Sequence, residues 1–124
     1  MEQTFRADVR YLSSLSMALD LQGDLTKQAE QSLLLMRPWQ EGLDEGRTYL
    51  ILNLTQVPYI NSAGIAVLIR LSRAGAKGGF LTFGYGITPH YEKLFRMVGL
   101  TEYLTIYPDE HAIVERIAAL DGSP

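Results

Sequence analysis

The sequence predicts a single α/β domain built on a mixed sheet of four or five strands, with about four helices lying mainly on one side. Three observations lead there. Two segments near the amino terminus alternate apolar and polar residues with the period of a strand, and only a short turn separates them. A later run, Tyr49 to Leu54, is apolar except for Asn53 and does not alternate, as expected of a strand covered on both faces. From Leu21 onward strand-like and helix-like periods take turns, which calls for crossovers and parallel pairing beside the initial hairpin.

In the first segment Phe5, Ala7, Val9 and Tyr11 alternate with Arg6, Asp8 and Arg10, the pattern of an edge strand with one wet face. Ser13-Ser14 reads as a turn. Met17, Leu19 and Leu21 then alternate with Ala18, Asp20 and Gln22, so the two strands pair as an antiparallel hairpin that ends at Gly23-Asp24. Thr26 is placed to cap a first helix running from about Lys27 to Leu43, with Leu25, Ala29, Leu33 and Met36 as its apolar stripe. Pro38 lacks a donor and crowds the preceding turn, so a kink or break is expected near Arg37, with Trp39 packed at the irregularity. Gly42 and Gly46 close the element.

The strand Tyr49 to Leu54 is followed by a loop, Thr55 to Ile60, by Asn61-Ser62-Ala63-Gly64, and by an apolar helix to about Lys77. Ile65, Leu68, Ile69 and Ser72 make one stripe of that helix; Ala63, Ala66, Val67 and Arg70 make a second. Ser62 stands at the junction, where its hydroxyl either caps the first turn or takes up a phosphate at the positive end of the helix. Gly64 falls in the first turn, where a missing side chain permits close approach to the central strand. Gly75, Gly78 and Gly79 lead into a further apolar strand, Phe80 to Gly84. Gly84-Tyr85-Gly86 lacks the third glycine and the lysine of a phosphate-binding loop and reads as turn punctuation. Thr88-Pro89 opens a short helix with Tyr91, Leu94, Phe95 and Val98 on its buried side, ended by Gly99. Tyr103 to Tyr107 forms a last strand. Asp109 caps a final helix with Ile113, Ile117 and Leu120 inward, and Gly122 to Pro124 form a loose tail.

A length of 124 residues suits one domain, and 47% hydrophobic with 20% charged residues is enough apolar material for a core of its own. With no cysteine, disulfides, thiol catalysis and cysteine-held metals are excluded. A net charge of −3 supplies no basic footprint for nucleic acid. No apolar run is long enough to span a bilayer and the first residues carry no secretion signal, so a cytoplasmic location without direct membrane insertion is expected. His90 and His111 are too far apart in sequence to share a helix face, which disfavours a metal site. Ser62 lacks the glycine-flanked elbow of serine hydrolases, and Asp20 and Asp24 read as solvated strand and loop ends. No cofactor is expected.

The run from Leu52 to Leu68, with Asn61-Ser62-Ala63-Gly64 at its centre, resembles the core signature of STAS domains, and of anti-sigma factor antagonists in particular. That signature is an apolar strand, a polar turn and Asp-Ser-Ser-Gly or Asp-Ser-Ala-Gly before an aliphatic helix; here Asn61 replaces the aspartate. Leu21 to Leu25, Gly84 with Pro89, and Leu94 to Leu100 followed by Tyr103 and Tyr107 extend the resemblance over residues 5 to about 120. The resemblance implies a single STAS domain without catalytic activity of its own, acting by partner switching. Ser62 aligns with the serine that a partner kinase phosphorylates. The implied partners are an anti-sigma factor or related serine protein kinase and a resetting serine phosphatase, with other STAS proteins as further candidates. Pro58, Tyr59, Ile60, Asn61, Ser62, Ala63 and Gly64, together with Tyr85, Ile87 and Pro89 on the neighbouring loop, are the expected partner-binding residues. Two other roles fit the same resemblance: a structural subunit of a large signalling scaffold, and a cytoplasmic accessory of a membrane transport complex.

Overall fold

The computed structural model describes residues 4–35 and 46–121. The expected break at Pro38, the packing of Trp39, the stripe position Met36, the helix end at Gly42 and Leu43, and the tail Gly122 to Pro124 lie outside these residues. Strand β1 (Arg6–Tyr11) turns through Ser13-Ser14 into β2 (Ser16–Gln22), and the two pair antiparallel with Arg6 opposite Gln22 and Tyr11 opposite Met17. Ser13 fixes the turn, its Oγ accepting from the backbone N–H groups of Leu15 and Ser16, both at 3.1 Å. Helix α1 (Lys27–Leu35) follows, then β3 (Tyr49–Gln56), α2 (Ser62–Lys77), β4 (Leu81–Tyr85), α3 (Pro89–Met97), a single 3₁₀ turn (Leu100–Glu102), β5 (Leu104–Ile106) and α4 (Glu110–Leu120). The five strands lie side by side in chain order, parallel everywhere except at the hairpin.

Strand alternation divides the core in two. Met17, Leu19 and Leu21 of β2 and Leu50, Leu52 and Leu54 of β3 face a large cluster with Ala29 and Leu33 of α1, Val67, Leu68 and Leu71 of α2, and Phe95 of α3. Ala18, Tyr49, Ile51 and Phe83 face the other way, onto Ile113 and Ile117 of α4. Three helices thus share one side and one covers the other, which is why Tyr49 to Leu54 shows no alternation.

Several boundaries differ from the sequence reading. The fourth strand runs Leu81–Tyr85 and the fifth Leu104–Ile106, each shorter or displaced by a residue or more. Val98 is exposed, because α3 ends at Met97 and Gly99, with φ +79, turns the chain so that Leu100 occupies the buried position instead. Leu120, in the last turn of α4, is also exposed. Asp20 is not a solvated strand end. It lies within β2 on the α4 side, where Arg10 Nη2 donates to its Oδ1 at 2.9 Å and Asn53 Nδ2 donates to the same oxygen at 2.8 Å. Arg10 Nη2 also reaches Glu110 Oε1 at 2.6 Å, and the Tyr85 hydroxyl donates to that oxygen at 3.2 Å. A polar chain therefore crosses four strands and fastens the first turn of α4.

Hydrogen bonds from Arg10 hold the Asp20 carboxyl below its ordinary range against the opposing effect of burial, with Asn53 assisting. Since the folded-state value is the lower one, the resulting stability is complete above the unfolded value of about 3.9 and is lost as pH falls through the folded value. Asp20→Asn is expected to flatten the loss of stability between about pH 5 and 2, read as the urea midpoint against pH. Equal slopes for variant and parent would show that Asp20 gains nothing from Arg10.

Candidate functional site

The site is built where β3 ends. Val57 N–H donates to Leu54 O at 3.1 Å and turns the chain outward, after which Tyr59 to Asn61 run back beside Leu25. Leu25 N–H donates to Tyr59 O at 2.9 Å and Asn61 N–H donates to Leu25 O at 3.3 Å, closing an isolated parallel bridge between Leu25 and Ile60. This bridge keeps Asn61 extended, at φ −97° and ψ 179°, which is the backbone geometry of a cap. Its Oδ1 accepts from Gly64 N–H at 2.8 Å. Asn61, and not Ser62, is therefore the N-cap of α2: the extended residue is the one held by Leu25, and the serine is already the first residue of the helix.

Ser62 is exposed, and its hydroxyl has no hydrogen-bond partner among the described residues. No acidic side chain lies in the first turn of α2, and the cap itself is an uncharged amide. Ser62 thus sits at the positive end of a helix of 16 residues with no negative charge in its own turn. Two residues on, Gly64 is buried. A methyl group there would overlap the carbonyl of Leu25 and press on Ile60, so the close approach is to the Leu25 segment and not to the central strand.

The second loop leaves β4 at the same end of the sheet. Gly86, with φ +78, lies so close over Thr55 that any side chain would strike its backbone. Thr88 Oγ1 accepts from Tyr91 N–H at 3.4 Å and Pro89 fills the first helical position of α3, both as the sequence predicts. The Tyr91 hydroxyl accepts from Ile60 N–H at 3.1 Å and ties this helix to the Ser62 loop. Pro58, Tyr59 (49% exposed), Ser62 and Pro89 present surface, whereas Ile60 and Gly64 are buried and Ala63 and Ile87 half-buried. Tyr85 belongs to the opposite side of the sheet. Side chains alternate along β4, so Tyr85 follows Phe83 toward α4, and burial followed by the negative charge of Glu110 pushes its hydroxyl pKa up. The sequence reading has Leu25 and Tyr91 as apolar stripe positions, Leu25 also within the stretch that carries the resemblance, and gives neither a role at the Ser62 site. A backbone bridge and a single hydroxyl bond across the fold leave no local pattern.

Among the described residues no group of three or more histidine, aspartate or glutamate side chains is arranged to hold a metal ion. Nor is any helix there long and apolar enough to cross a membrane. A depression of about 280 Å³ beside the second loop is lined by Gly86, Ile87, Ile106, Tyr107 and Pro108, with Glu92 as its one charged side chain. Glu92 is already paired with Arg96.

The STAS domain family model matches residues 10–113. This chain belongs to the STAS domain family. The STAS assignment agrees with solved structures at low identity. A variant of RsbS from Moorella thermoacetica has a TM-score of 0.73 at 15% identity, with 94% of this chain and 97% of that one covered. The anti-sigma factor antagonist SpoIIAA in its unphosphorylated form gives 0.68 at 15% identity, covering 92% and 97%. Murine Slc26a9, an anion transporter, gives 0.67 at 14% identity, with 94% of this chain but 22% of that one covered. No curated protein sequence matches. At these identities the structural likeness speaks for the STAS fold alone.

The capping geometry separates three neighbouring substitutions. Asn61→Ala is expected to cost about 1 kcal/mol through the lost cap, and Ser62→Ala almost nothing. Gly64→Ala, and Gly64→Val still more, should cost about 1 to 3 kcal/mol or more, since the obstruction is backbone that cannot rotate away. Thermal melts of the variants rank them directly; a Ser62→Ala midpoint as low as that of Asn61→Ala would return the cap to the serine.

Proposed function

We propose that this STAS domain is an anti-sigma factor antagonist acting by partner switching. Unphosphorylated, it binds a cytoplasmic serine kinase of the anti-sigma type; phosphorylation of Ser62 releases it, and a serine phosphatase restores the binding form. It catalyses no reaction itself. The observation that carries this reading is the state of Ser62: an exposed hydroxyl with no bond among the described residues, at the first position of α2, with Asn61 performing the structural duty a serine there would otherwise have. The fold likeness to SpoIIAA, for which unphosphorylated and phosphorylated forms are both known, supports it.

The physical account of the switch is local. A phosphate adds close to two negative charges at a helix N-terminus, where the unpaired N–H groups and the dipole favour them, so the fold is kept. The same charge placed within a surface that includes Pro58, Tyr59 and Pro89 must be desolvated when a partner docks there, and that opposes binding.

With the cognate kinase and ATP, phosphopeptide mapping is expected to find phosphate on Ser62; modification of Thr55 or Ser72 with Ser62 untouched sinks the reading. Ser62→Glu should melt with the parent, since a carboxylate near a helix N-terminus is worth about 0.3 to 1 kcal/mol in its favour. Its affinity for the kinase should fall by about 2 kcal/mol or more, roughly thirty-fold, in calorimetry. Ser62→Ala should bind and never be released.

A further inference from the structure

We propose that Tyr91 is a positioning residue for Ser62, its hydroxyl pinning the loop that presents the serine; this rests on the acceptor role of Ser62 proposed above. In the bridge with Leu25, Tyr59 O and Asn61 N–H point toward Leu25, so the Ile60 N–H between them points to the opposite side. In the body of the sheet that direction is filled by β4, which pairs with β3 as far as Asn53 opposite Tyr85. Past Tyr85 the chain turns away at Gly86 toward α3, and no strand remains to meet Ile60. The Tyr91 hydroxyl stands in that place and accepts from Ile60 N–H at 3.1 Å. Ile60 is buried, so without the hydroxyl its N–H has neither a strand nor free access to water.

The tyrosine is itself held. Its ring packs against the main core, and its backbone N–H donates to the Thr88 cap, so the hydroxyl projects from a fixed point on α3. The loop is thereby gripped from both edges, by the Leu25 peptide on one and by Tyr91 on the other. Ser62 follows Ile60 by two residues, and the intervening Asn61 is the cap that starts α2. Release of Ile60 therefore loosens the cap and the direction in which the serine is offered, with no change to the serine itself.

Tyr91→Phe keeps the ring in the core and removes one oxygen. In amide hydrogen exchange followed by NMR, Ile60 is expected to exchange about three- to tenfold faster in the variant, the usual worth of one hydrogen bond. Asn61 and Ser62 should gain backbone mobility in ¹⁵N relaxation, while Ile51 in β3 and Ile113 in α4 stay as they were. With the purified cognate kinase, KM for the chain should rise while kcat is unchanged, because the altered loop presents the same hydroxyl less often. Unchanged Ile60 exchange overturns the proposal, as does uniform acceleration at Ile51 and Ile113, which would reduce Tyr91 to a general stabiliser. Selective loosening of Ile60 in a chain whose parent is never phosphorylated on Ser62 would support the pin and overturn the acceptor reading, so the two fail separately.

Discussion

The contact between the Leu25 peptide and the segment Ile60 to Gly64 is the constraint on which the site depends. Two backbones meet there with no side chain between them, and the meeting is possible only because position 64 has none. From it follow the extended geometry of Asn61, the cap on α2, and the placing of Ser62 one residue inside the helix. Leu25 lies two residues before α1, so the same contact sits close to the start of both helices. A serine on a mobile loop would reach a partner in many orientations; here the first turn of a long helix limits it to few.

The sheet supplies the frame through unequal faces. One carries three helices and nearly all the large aliphatic side chains, and the other carries α4 with two isoleucines over Ala18, Ile51 and Phe83. Part of the second face is polar, and its groups satisfy one another: Arg10 serves two carboxylates, Asn53 supports Asp20, and Tyr85 meets Glu110. Each of these groups is partly buried, and its bonds to the others offset the water it gives up. Tyr85 is better understood as a member of this set than as a surface for partners.

Much of the fold was legible in the sequence because it rests on short-range patterns. Alternation from Phe5 to Gln22 marks the hairpin, the continuous run at Tyr49 marks the central strand, and Thr88-Pro89 and Asp109 mark helix starts whose caps are found in place. The position of Ser62 at a helix start was legible too, but its bonding was not. Serine and asparagine are both good caps, and what chooses between them is a bridge to Leu25, thirty-odd residues away in the chain. The partner set likewise mixed residues from both sides of the sheet, since nothing local to Tyr85 and Ile87 tells which strand face each occupies until the strand is known to end at Tyr85. The polar chain through Arg10 was missed for the same reason. Its members come from five separate elements and meet only when the sheet is assembled.

The thin attachment of α4 has a consequence for handling the protein in solution. Its two apolar anchors are supplemented by the Arg10–Glu110 ion pair, which is partly open to water, and such a pair weakens as ionic strength rises and the screening length shortens. When α4 lifts, Ile51 and Phe83 are uncovered in the middle of the sheet, flanked by Tyr49 and the already exposed Leu81, forming a flat sticky surface without a charged gatekeeper on β4. A truncation before Glu110 should therefore lead to self-association through the face that α4 normally shields.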